Sequence, residues 1–376
     1  MSHKIAFLGG SLDSAVGRAH KSAIEIDKKF SLVAGCFSRN SEINLKTGVE
    51  YGVHIDRIYK TLLDLINAEK NNLDAIVILT PTDTHYQDII NCIDAKIPVI
   101  CEKSMVTSSV ESKAIHDLCL KTNSFLAVTY NYTGYPMIRE LKNFISSGKL
   151  GEIKNICIEM PQEGFLKIDK MGNPIVPQNW RLKDGEIPTL SLDLGVHVHS
   201  IINFLIGKKP IEVVASVNTF GNFKSVVDDI SCIVNYSGRI NVNMWFSKSA
   251  LGYRNGLKVR VFGEKGAAEW IQENPEYLYF SENNGTKMII DRSNAFVNIA
   301  SESRYSRFKP GHPAGFIEAF ANYYFDISES LDNFKAGGSE ILNQYTFGTS
   351  IAHEGMQFLE AITRSKQNKK WEPVYE

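Results

Sequence analysis

The sequence has 376 residues, of which 43% are hydrophobic and 22% are charged. This length and composition are typical of a soluble globular protein with two domains. The 41 basic and 42 acidic residues nearly cancel, and without a basic face we expect no nucleic-acid partner. Because no apolar stretch approaches the roughly 18 residues that a membrane helix needs, we expect no membrane partner.

The cysteines indicate the compartment. Six are present and none forms a C-x-x-C pair; they are Cys36, Cys92, Cys101, Cys119, Cys157 and Cys232. Most lie in apolar runs, which is typical of small core residues in a reducing environment. The N-terminus, Met1-Ser2-His3-Lys4, has no long apolar signal region. These features favour a cytoplasmic protein.

The first third of the chain alternates strand-like and helix-like segments. The predicted strands are Ile5–Leu8, Ser31–Phe37, Leu73–Thr80, Ile97–Cys101 and Phe125–Tyr130; the predicted helices are Ser14–Ile26, Ile55–Glu69, His85–Ala95 and Ser109–Thr122. A β-branched run such as Leu73–Thr80 indicates a strand buried on both faces. The pattern predicts an α/β domain over residues 1–130, with a doubly wound parallel sheet.

Beyond Tyr130 the alternation ends. The chain continues with a helix, Tyr135–Ser147, a strand, Ile153–Met160, a loop over residues 161–188 and a helix, Val196–Ile206. Strands then follow one another at Ile211–Phe220, Ile230–Tyr236, Ile240–Phe246, Leu257–Phe262, Tyr277–Phe280 and Met288–Asp291, before two helices, Ala314–Ser330 and Ile341–Ser365. Short turns between strands predict an open, mostly antiparallel sheet. We therefore predict a second domain of the α+β class over residues 131–376.

The first predicted strand runs into glycines before a helix. This arrangement binds a dinucleotide pyrophosphate, because glycines let the backbone approach the phosphates and the helix start supplies N–H donors. Here the turn begins Gly9-Gly10-Ser11-Leu12, is longer than G-x-G-x-x-G, and carries a carboxylate at Asp13. It predicts a cofactor contact at these first four residues, and a plain turn is the alternative.

The second strand ends without the acid that usually binds the ribose 2′-hydroxyl of NAD. Ser38 and Arg39 stand there instead. They are candidates to hold a 2′-phosphate, with the guanidinium forming a charged fork. The alternative is a helix start in which Ser38 caps the helix and Arg39 points to water.

Several motifs in order resemble the glucose–fructose oxidoreductase, inositol dehydrogenase and related Gfo/Idh/MocA family. They are Gly17-Arg18-Ala19-His20, Thr80-Pro81-Thr82-Asp83-Thr84-His85, Cys101-Glu102-Lys103-Ser104 and Asp193-Leu194-Gly195-Val196-His197. The resemblance covers nearly the whole chain and implies a Rossmann-type first domain, NAD or NADP as cofactor, a sugar-like substrate and a homodimer or homotetramer. The chain departs from the family pattern at Ser104, which replaces a proline, and at Ser200, where many members have an acid.

The resemblance also implies further cofactor contacts. These are Thr80, Pro81, Thr82, His85, Glu102, Lys103 and Asn131. Asn131 follows the fifth strand, where family members contact nicotinamide or substrate. Lys103 follows a predicted buried strand, and ligands bind at the carboxyl edge of such a sheet.

Hydride transfer also needs a group that exchanges the hydroxyl proton. His197 is the candidate, because imidazole titrates near working pH. On a helix, Asp193 would share its face and orient the ring. Lys103 is the candidate that stabilises negative charge on the reacting oxygen. The three are the predicted catalytic residues, and each is also expected to contact the substrate.

Further substrate contacts are predicted at Trp180, Arg181, Asn131 and His312, with packing or surface roles as the alternative. His197-x-His199 with Asp193 resembles a metal ligand set. Residues two apart on a helix point to different sides, and we predict no metal.

The main hypothesis is an NAD(P)-dependent oxidoreductase acting on a sugar, sugar nucleotide or cyclitol. One alternative is a non-catalytic sensor that binds dinucleotide on the same scaffold. Another is a domain whose glycine turn binds nothing. Lys103, Asp193 and His197 together favour the enzyme, since a sensor needs none of them.

Overall fold

The computed structural model describes residues 2–338 and 342–375. They form two compact units. The first comprises Met1–Gly134 and Phe316–His353, and the second Tyr135–Gly315 and Glu354–Glu376. The division differs from the predicted domains, 1–130 and 131–376, because a late segment of the chain returns to the first unit.

The first unit is built from alternating strands and helices. In chain order they are β1 His3–Gly9, α1 Ala15–Ile26, β2 Phe30–Cys36, α2 Ser41–Glu50, α3 Leu62–Glu69, β3 Ala75–Leu79, α4 Thr82–Asp94, β4 Val99–Glu102, α5 Ser109–Thr122 and β5 Leu126–Thr129. The strands form one parallel sheet in the order β2-β1-β3-β4-β5. The predicted doubly wound parallel sheet is confirmed.

Local sequence explains the helix boundaries in this unit. The side chains of Ser14, Asn40, Thr61 and Ser108 each accept a hydrogen bond from a backbone N–H in the first turn of the helix that follows, which satisfies donors that lack an intrahelical partner. The five residues of β3 are all buried, as expected for a strand covered on both faces.

Strand order reverses between β1 and β3, because β2 lies on one side of β1 and β3 on the other. The crevice outside the carboxyl ends of strands at such a switch point is where doubly wound sheets bind ligands. Gly9 and Thr80 occupy this edge, at the ends of the two strands.

The second unit contains a large sheet. Its first elements are α6 Pro136–Ser146, β6 Ile153–Pro161, α7 Val196–Ile206, β7 Pro210–Asn218, β8 Asp229–Tyr236, β9 Ile240–Ser247, β10 Lys258–Gly263, β11 Gly266–Ile271, β12 Leu278–Glu282 and β13 Lys287–Ile290. The remaining elements of the chain are α8 Phe316–Lys335, which belongs to the first unit, then α9 Thr349–Asn368 and β14 Glu372–Pro373.

The nine strands of this sheet follow the order β13-β12-β11-β10-β6-β9-β8-β7-β14. Only β6 and β9 pair in parallel; the other neighbours are antiparallel. The predicted open, mostly antiparallel sheet is confirmed. Residues of β9 alternate between buried and half-buried, so one face of the sheet lies on the core.

Some predicted boundaries were wrong. Ile55–Glu69 is not one helix, because Ile58 is extended and Thr61 caps a separate helix, α3. Helix α2 and strand β11 were missed, since their polar or small residues give weak periodicity. The last predicted helix, Ile341–Ser365, starts at Thr349 instead; Ile341 itself lies outside the described residues.

No helix within residues 2–338 and 342–375 has both the length and the hydrophobicity needed to cross a membrane.

Candidate active site

The glycine turn after β1 is shaped by close backbone approaches. Gly9 and Gly10 have φ values of 82° and 73°, which favour glycine because a side chain would be strained there. A Cβ on Gly17 would lie 2.0 Å from the Gly10 carbonyl oxygen. Helix α1 therefore packs directly on the turn, and only glycine fits at Gly17.

The lengthened part of the turn is held by two side-chain hydrogen bonds and one backbone hydrogen bond. Thr47 Oγ1 accepts a hydrogen bond from the Leu12 N–H at 3.3 Å, and Arg18 Nε donates to the Leu12 carbonyl at 2.7 Å. The Ser11 carbonyl accepts from the N–H of Ser14 at 2.8 Å. Arg18 is exposed, so the turn carries an accessible cation. The sequence analysis named Arg18 only within a motif and predicted no role for it.

Ser38 and Arg39 lie directly after β2. The Ser38 N–H donates to Asn44 Oδ1 at 3.3 Å, and the Ser38 hydroxyl accepts from the N–H of Asn40 at 3.2 Å. Asn40, not Ser38, is the N-cap of α2. Ser38 is half-buried and Arg39 is exposed, so both side chains stand at the end of the strand where the adenosine ribose is bound in folds of this class.

His85 joins two loops at the carboxyl edge of the sheet. Its ring is buried, with Nε2 at 2.7 Å from the Thr80 carbonyl oxygen and Nδ1 at 2.9 Å from that of Ser104. Pro81 is exposed and Thr82 half-buried, and they form the start of α4. His85 thus holds the loop after β3 against the segment that follows Lys103.

Glu102 is the last residue of β4, and Lys103 follows it. The Glu102 carboxylate is buried and accepts hydrogen bonds from Thr129 Oγ1 at 2.6 Å and His20 Nε2 at 3.0 Å. Lys103 is half-buried, and the peptide bond to Ser104 is cis. Glu102 therefore makes contacts inside the unit, whereas Lys103 begins the loop at the sheet edge.

The pKa of the Glu102 carboxyl reflects this setting. Burial by itself raises the pKa, but hydrogen bonds from His20 and Thr129 and the positive charges of His20 and Lys103 outweigh it and hold the pKa below its usual range. Glu102 is therefore ionised at neutral pH.

Asn131 presents a buried donor. It lies in the 3-10 helix Asn131–Gly134 after β5 and is 4% exposed. Within the described residues its Nδ2 has no hydrogen-bond partner. Because buried donors are almost always paired, this amide fits a group that is bound at the edge of the sheet, such as a nicotinamide carboxamide.

In the second unit, Asp193 and His197 lie where one π-helical turn, Ser191–Gly195, leads into α7. Both are buried, with 8% and 6% exposure. Ser200 donates to the His197 carbonyl oxygen at 3.0 Å. The acid and the imidazole thus stand four residues apart on consecutive helical turns, within a buried segment.

Two cations contact the Asp193 carboxylate. Arg181 Nε donates to Oδ2 at 3.2 Å, and Lys248 Nζ donates to the same oxygen. The Arg181 guanidinium also lies 4.3 Å from the ring centre of Trp180, which is 44% exposed. The structure therefore brings the predicted residues Trp180, Arg181 and Asp193 together.

Lys248 was missed by sequence reasoning. It follows β9 and is 6% exposed. Its position just after a strand can be predicted from the sequence, but that position does not indicate that the Lys248 side chain is buried. Its partner is 55 residues away.

His199 has a structural partner. Its Nε2 lies 3.1 Å from Glu354 Oε1, and its ring stacks on Phe358 at 5.6 Å. Glu354 also accepts hydrogen bonds from Asn203 and Tyr375. Among the described residues no group of three or more histidine, cysteine or acidic side chains is arranged to hold a metal ion.

His312 lies in an exposed loop before α8. Its carbonyl oxygen accepts from Arg292 Nη2 at 2.9 Å, and its ring meets Phe308 edge-on at 4.5 Å. Arg292 is itself paired with Glu276, and both are buried. The backbone of His312 is thus anchored, while the residue stays at the surface.

Each unit carries candidate functional side chains of its own. The first has a glycine turn at a switch point, a lysine at the sheet edge and the amide of Asn131, whose Nδ2 has no hydrogen-bond partner within the described residues. The second has a buried acid and a buried imidazole. A parallel sheet with these features fits a dinucleotide, so fold and site define a dinucleotide-binding oxidoreductase.

The chain belongs to the Gfo/Idh/MocA family of NAD-binding oxidoreductases. A model of the oxidoreductase family with an NAD-binding Rossmann fold matches residues 4–130, and a model of the GFO/IDH/MocA C-terminal domain matches residues 138–269. The family, fold class and NAD(P) cofactor class predicted from the sequence are confirmed.

Relatives and solved structures agree with this assignment. The chain is 26% identical to an uncharacterised oxidoreductase, YfiI, of Bacillus subtilis, over 97% of this chain and 95% of the relative. It is 27% identical to a levoglucosan dehydrogenase of Pseudarthrobacter phenanthrenivorans, over 81% and 80%. The crystal structure of an inositol dehydrogenase homologue from Azotobacter vinelandii, complexed with NADH and myo-inositol, matches with a TM-score of 0.90 at 25% identity, over 99% of this chain and 98% of that chain.

Proposed function

We propose that this protein is a dehydrogenase or reductase that interconverts a hydroxyl and a keto group on a sugar, sugar nucleotide or cyclitol, using NAD or NADP. The observation that carries the proposal is the buried pair Asp193 and His197 at the start of α7, in a chain of an NAD-binding oxidoreductase family. Relatives named for levoglucosan and inositol support a substrate with several hydroxyl groups.

The first unit supplies the cofactor contacts in this proposal. When bound, the nicotinamide supplies or accepts the hydride. The glycine turn, Gly9 to Leu12, would hold the pyrophosphate, and Ser38 with Arg39 the adenosine ribose or its phosphate. The buried Nδ2 of Asn131 would donate to the carboxamide. Its role is supported because this donor has no partner among residues 2–338 and 342–375, and buried donors are almost always paired.

The proton is handled by side chains of the protein. We assign His197 as the group that accepts the hydroxyl proton in oxidation and returns it in reduction. Asp193, held by Arg181 and Lys248, compensates the charge of the imidazolium. Lys103 donates a hydrogen bond to the reacting oxygen and stabilises its alkoxide character. Trp180, Arg181 and His312 are the proposed further substrate contacts.

The test combines a substrate panel with one substitution. Absorbance at 340 nm is followed with sugars, sugar nucleotides and inositols, and with each cofactor. On the best substrate, His197→Ala should reduce kcat by ~10²–10⁴-fold, remove the titration of a histidine from the pH profile, and leave cofactor binding nearly unchanged. Near-normal kcat with the same pH profile would move the proton role away from His197.

We expect the loss of Lys103 to have a different kinetic effect from the loss of His197. Lys103→Ala removes a charge beside the proposed nicotinamide position, so it should weaken cofactor binding as well as kcat. If the wild-type protein binds the cofactor and turns over no member of the panel, the sensor hypothesis is favoured instead. Binding of neither cofactor would favour a domain with a plain glycine turn.

We further propose a cytoplasmic homodimer or homotetramer formed through the open face of the nine-stranded sheet. Trp245 and Asn243 on β9, with Ile233 on β8, are half-buried or exposed on strands whose alternate residues are buried. An apolar patch on a sheet face is typical of an interface. Light scattering of the wild type and of Ile233→Lys tests this assembly, and a monomeric wild type would contradict it.

A further inference from the structure

One face of α2 carries three buried polar side chains. Asn44, Thr47 and Tyr51 are 4%, 0% and 7% exposed. Asn44 and Thr47 lie within the helix and Tyr51 is its C-cap residue. Spacings of three and four residues place the three on the same side of a helix. Because buried polar groups need hydrogen-bond partners, the partners show what this face holds.

Two of the three side chains bond to the glycine turn. The Tyr51 hydroxyl donates to the Gly10 carbonyl oxygen at 3.1 Å. Thr47 Oγ1 accepts from the Leu12 N–H at 3.3 Å. Burial raises the pKa of the Tyr51 phenol, although the charge of Arg18 opposes the shift, so this hydroxyl remains a donor at neutral pH. The helix therefore holds the turn at one carbonyl and one N–H group.

The third side chain bonds to the residues that follow β2. Asn44 Oδ1 accepts from the N–H groups of Phe37 at 2.7 Å and Ser38 at 3.3 Å. Its Nδ2 donates to the Tyr59 carbonyl oxygen at 2.9 Å. Since both ends of the amide are engaged, the side chain is fixed in orientation. The same helix face thus holds the backbone from which Ser38 and Arg39 extend.

Aromatic contacts keep this helix face against the sheet. The Tyr51 ring meets the Phe37 ring edge-on at 5.7 Å and the Phe7 ring of β1 at 6.5 Å. All three residues are buried. The end of α2 therefore packs on β1 and on the residue that follows β2, and these two strands lead into the glycine turn and into Ser38.

We propose that Asn44, Thr47 and Tyr51 are positioning residues through which α2 holds both cofactor-binding segments. Thr47 and Tyr51 set the glycine turn for the pyrophosphate, and Asn44 sets residues 37–39 for the adenosine ribose or its phosphate. The inference rests on the cofactor contacts proposed for these two segments. A segment that is already held in its binding conformation loses less entropy when the ligand binds, so its affinity is higher.

The two cofactors distinguish the two supports. NADH and NADPH share the pyrophosphate and differ at the ribose 2′ position. Loss of a bond to the glycine turn should therefore weaken both cofactors by the same factor, whereas loss of the bonds to residues 37–39 should change their ratio. A loss of overall stability that leaves the protein folded changes neither affinity.

The first measurement is cofactor affinity, by titration calorimetry of the full-length protein. Thr47→Val keeps the branched shape without the hydroxyl, and Tyr51→Phe removes the donor to the turn. Each should raise the Kd of NADH and of NADPH alike, roughly five-fold, as expected for one hydrogen bond. Asn44→Ala should raise the Kd of NADPH roughly three-fold more than that of NADH. Thr47→Ser retains a hydroxyl and should restore wild-type affinity.

The second measurement needs no cofactor. Hydrogen–deuterium exchange of the free protein is followed by mass spectrometry in peptides that cover residues 9–17 and 35–41. Thr47→Val should speed exchange in the first peptide, because the Leu12 N–H loses its acceptor. Asn44→Ala should speed exchange in the second, because the N–H groups of Phe37 and Ser38 lose theirs.

Tyr59→Phe is the matched control for these variants. The Tyr59 hydroxyl donates to Glu69 Oε1 at 2.9 Å and not to either cofactor-binding segment. Its removal deletes one tyrosine hydroxyl bond from the same unit. It should leave exchange in both peptides and both Kd values unchanged.

The outcomes separate this inference from the proposed function. If Thr47→Val folds and exchanges like Tyr59→Phe, the positioning role is wrong. It is also wrong if exchange rises while the Kd values of the variants stay at those of the wild type. If exchange rises as expected but the wild type binds neither cofactor, the hold of α2 on the two segments stands and the proposed function fails.

Discussion

Lys248 donates a hydrogen bond to Oδ2 of Asp193, and both side chains are buried. Arg181, in the 3-10 helix Asn179–Leu182, donates to the same oxygen, and its guanidinium also stacks on Trp180. Two cations on one oxygen fix the orientation of the carboxylate. The acid proposed to support His197 is thus itself held by a lysine that follows β9 and an arginine that precedes α7.

Removal of Lys248 should affect both stability and turnover. Lys248→Met removes one of the two cations seen to contact the buried Asp193, and breaking a buried ion pair costs ~3–5 kcal/mol. We expect a loss of this order in urea unfolding and a lower kcat with little change in cofactor binding. Lys248→Arg should recover part of both.

A double-mutant cycle isolates the interaction energy between Lys248 and Asp193. With Asp193→Asn already present, Lys248→Met should cost much less, because the buried charge it compensates is gone. Lys208→Met, an exposed lysine of the same unit, is the control and should change nothing. Additive losses in the cycle would show that Lys248 acts independently of Asp193.

Long-range contacts such as these could not be predicted from the sequence, whereas local elements could. Helix α5 was predicted with the bounds that the structure has, because a capping serine and a helical period are local signals. The partners of Glu102 lie 82 residues away at His20 and, through it, at Tyr324. One sequence carries no information on which distant residues meet, so the candidate residues could be predicted but their partners could not.

The residues that follow β2 predict that the protein binds NADPH as well as NADH. Ser38 and Arg39 offer a hydroxyl and a cation where an acid would repel the 2′-phosphate. We expect NADPH to bind within ~100-fold of NADH, about 2.8 kcal/mol, and Arg39→Ala to weaken NADPH more than NADH. Titration calorimetry measures both; a preference for NADH beyond that ratio contradicts this interpretation of the turn.

Activity should not depend on a metal. His199 is hydrogen-bonded to Glu354 inside the second unit, so a His197–His199 site would have to break that bond. Extensive dialysis against a chelator should leave kcat unchanged, and elemental analysis should find no stoichiometric zinc. An ion that contacts both histidines would overturn the prediction.

We expect the Glu354 carboxylate to stabilise the folded protein at neutral pH and to lose this contribution at low pH. Burial alone raises its pKa, but hydrogen bonds from His199, Tyr375 and Asn203, with the His199 charge, outweigh it and lower the pKa. A lowered folded-state pKa stabilises the fold above the unfolded value of about 4.3 and less as pH falls through the folded value. Glu354→Gln should therefore destabilise at pH 7, and the difference from wild type should shrink below pH about 4. A difference independent of pH would show that packing, not charge, is responsible.

The cysteines should react selectively with an alkylating reagent. Burial raises the pKa of Cys36 to about 11 and those of Cys119 and Cys232 to about 12, and it also raises the pKa of Cys92 and Cys101. At pH 8 a thiol with a pKa near 11 is only ~10⁻³ thiolate, the reactive form.

Cys157 is half-buried on β6, so iodoacetamide should add one group to the native protein, at Cys157, and six in urea. Intact mass measures the number, and Cys157→Ser should abolish native labelling. Modification of two or more sites in the native protein, at a rate similar to that of Cys157, would show that the buried thiols are more accessible than their packing indicates.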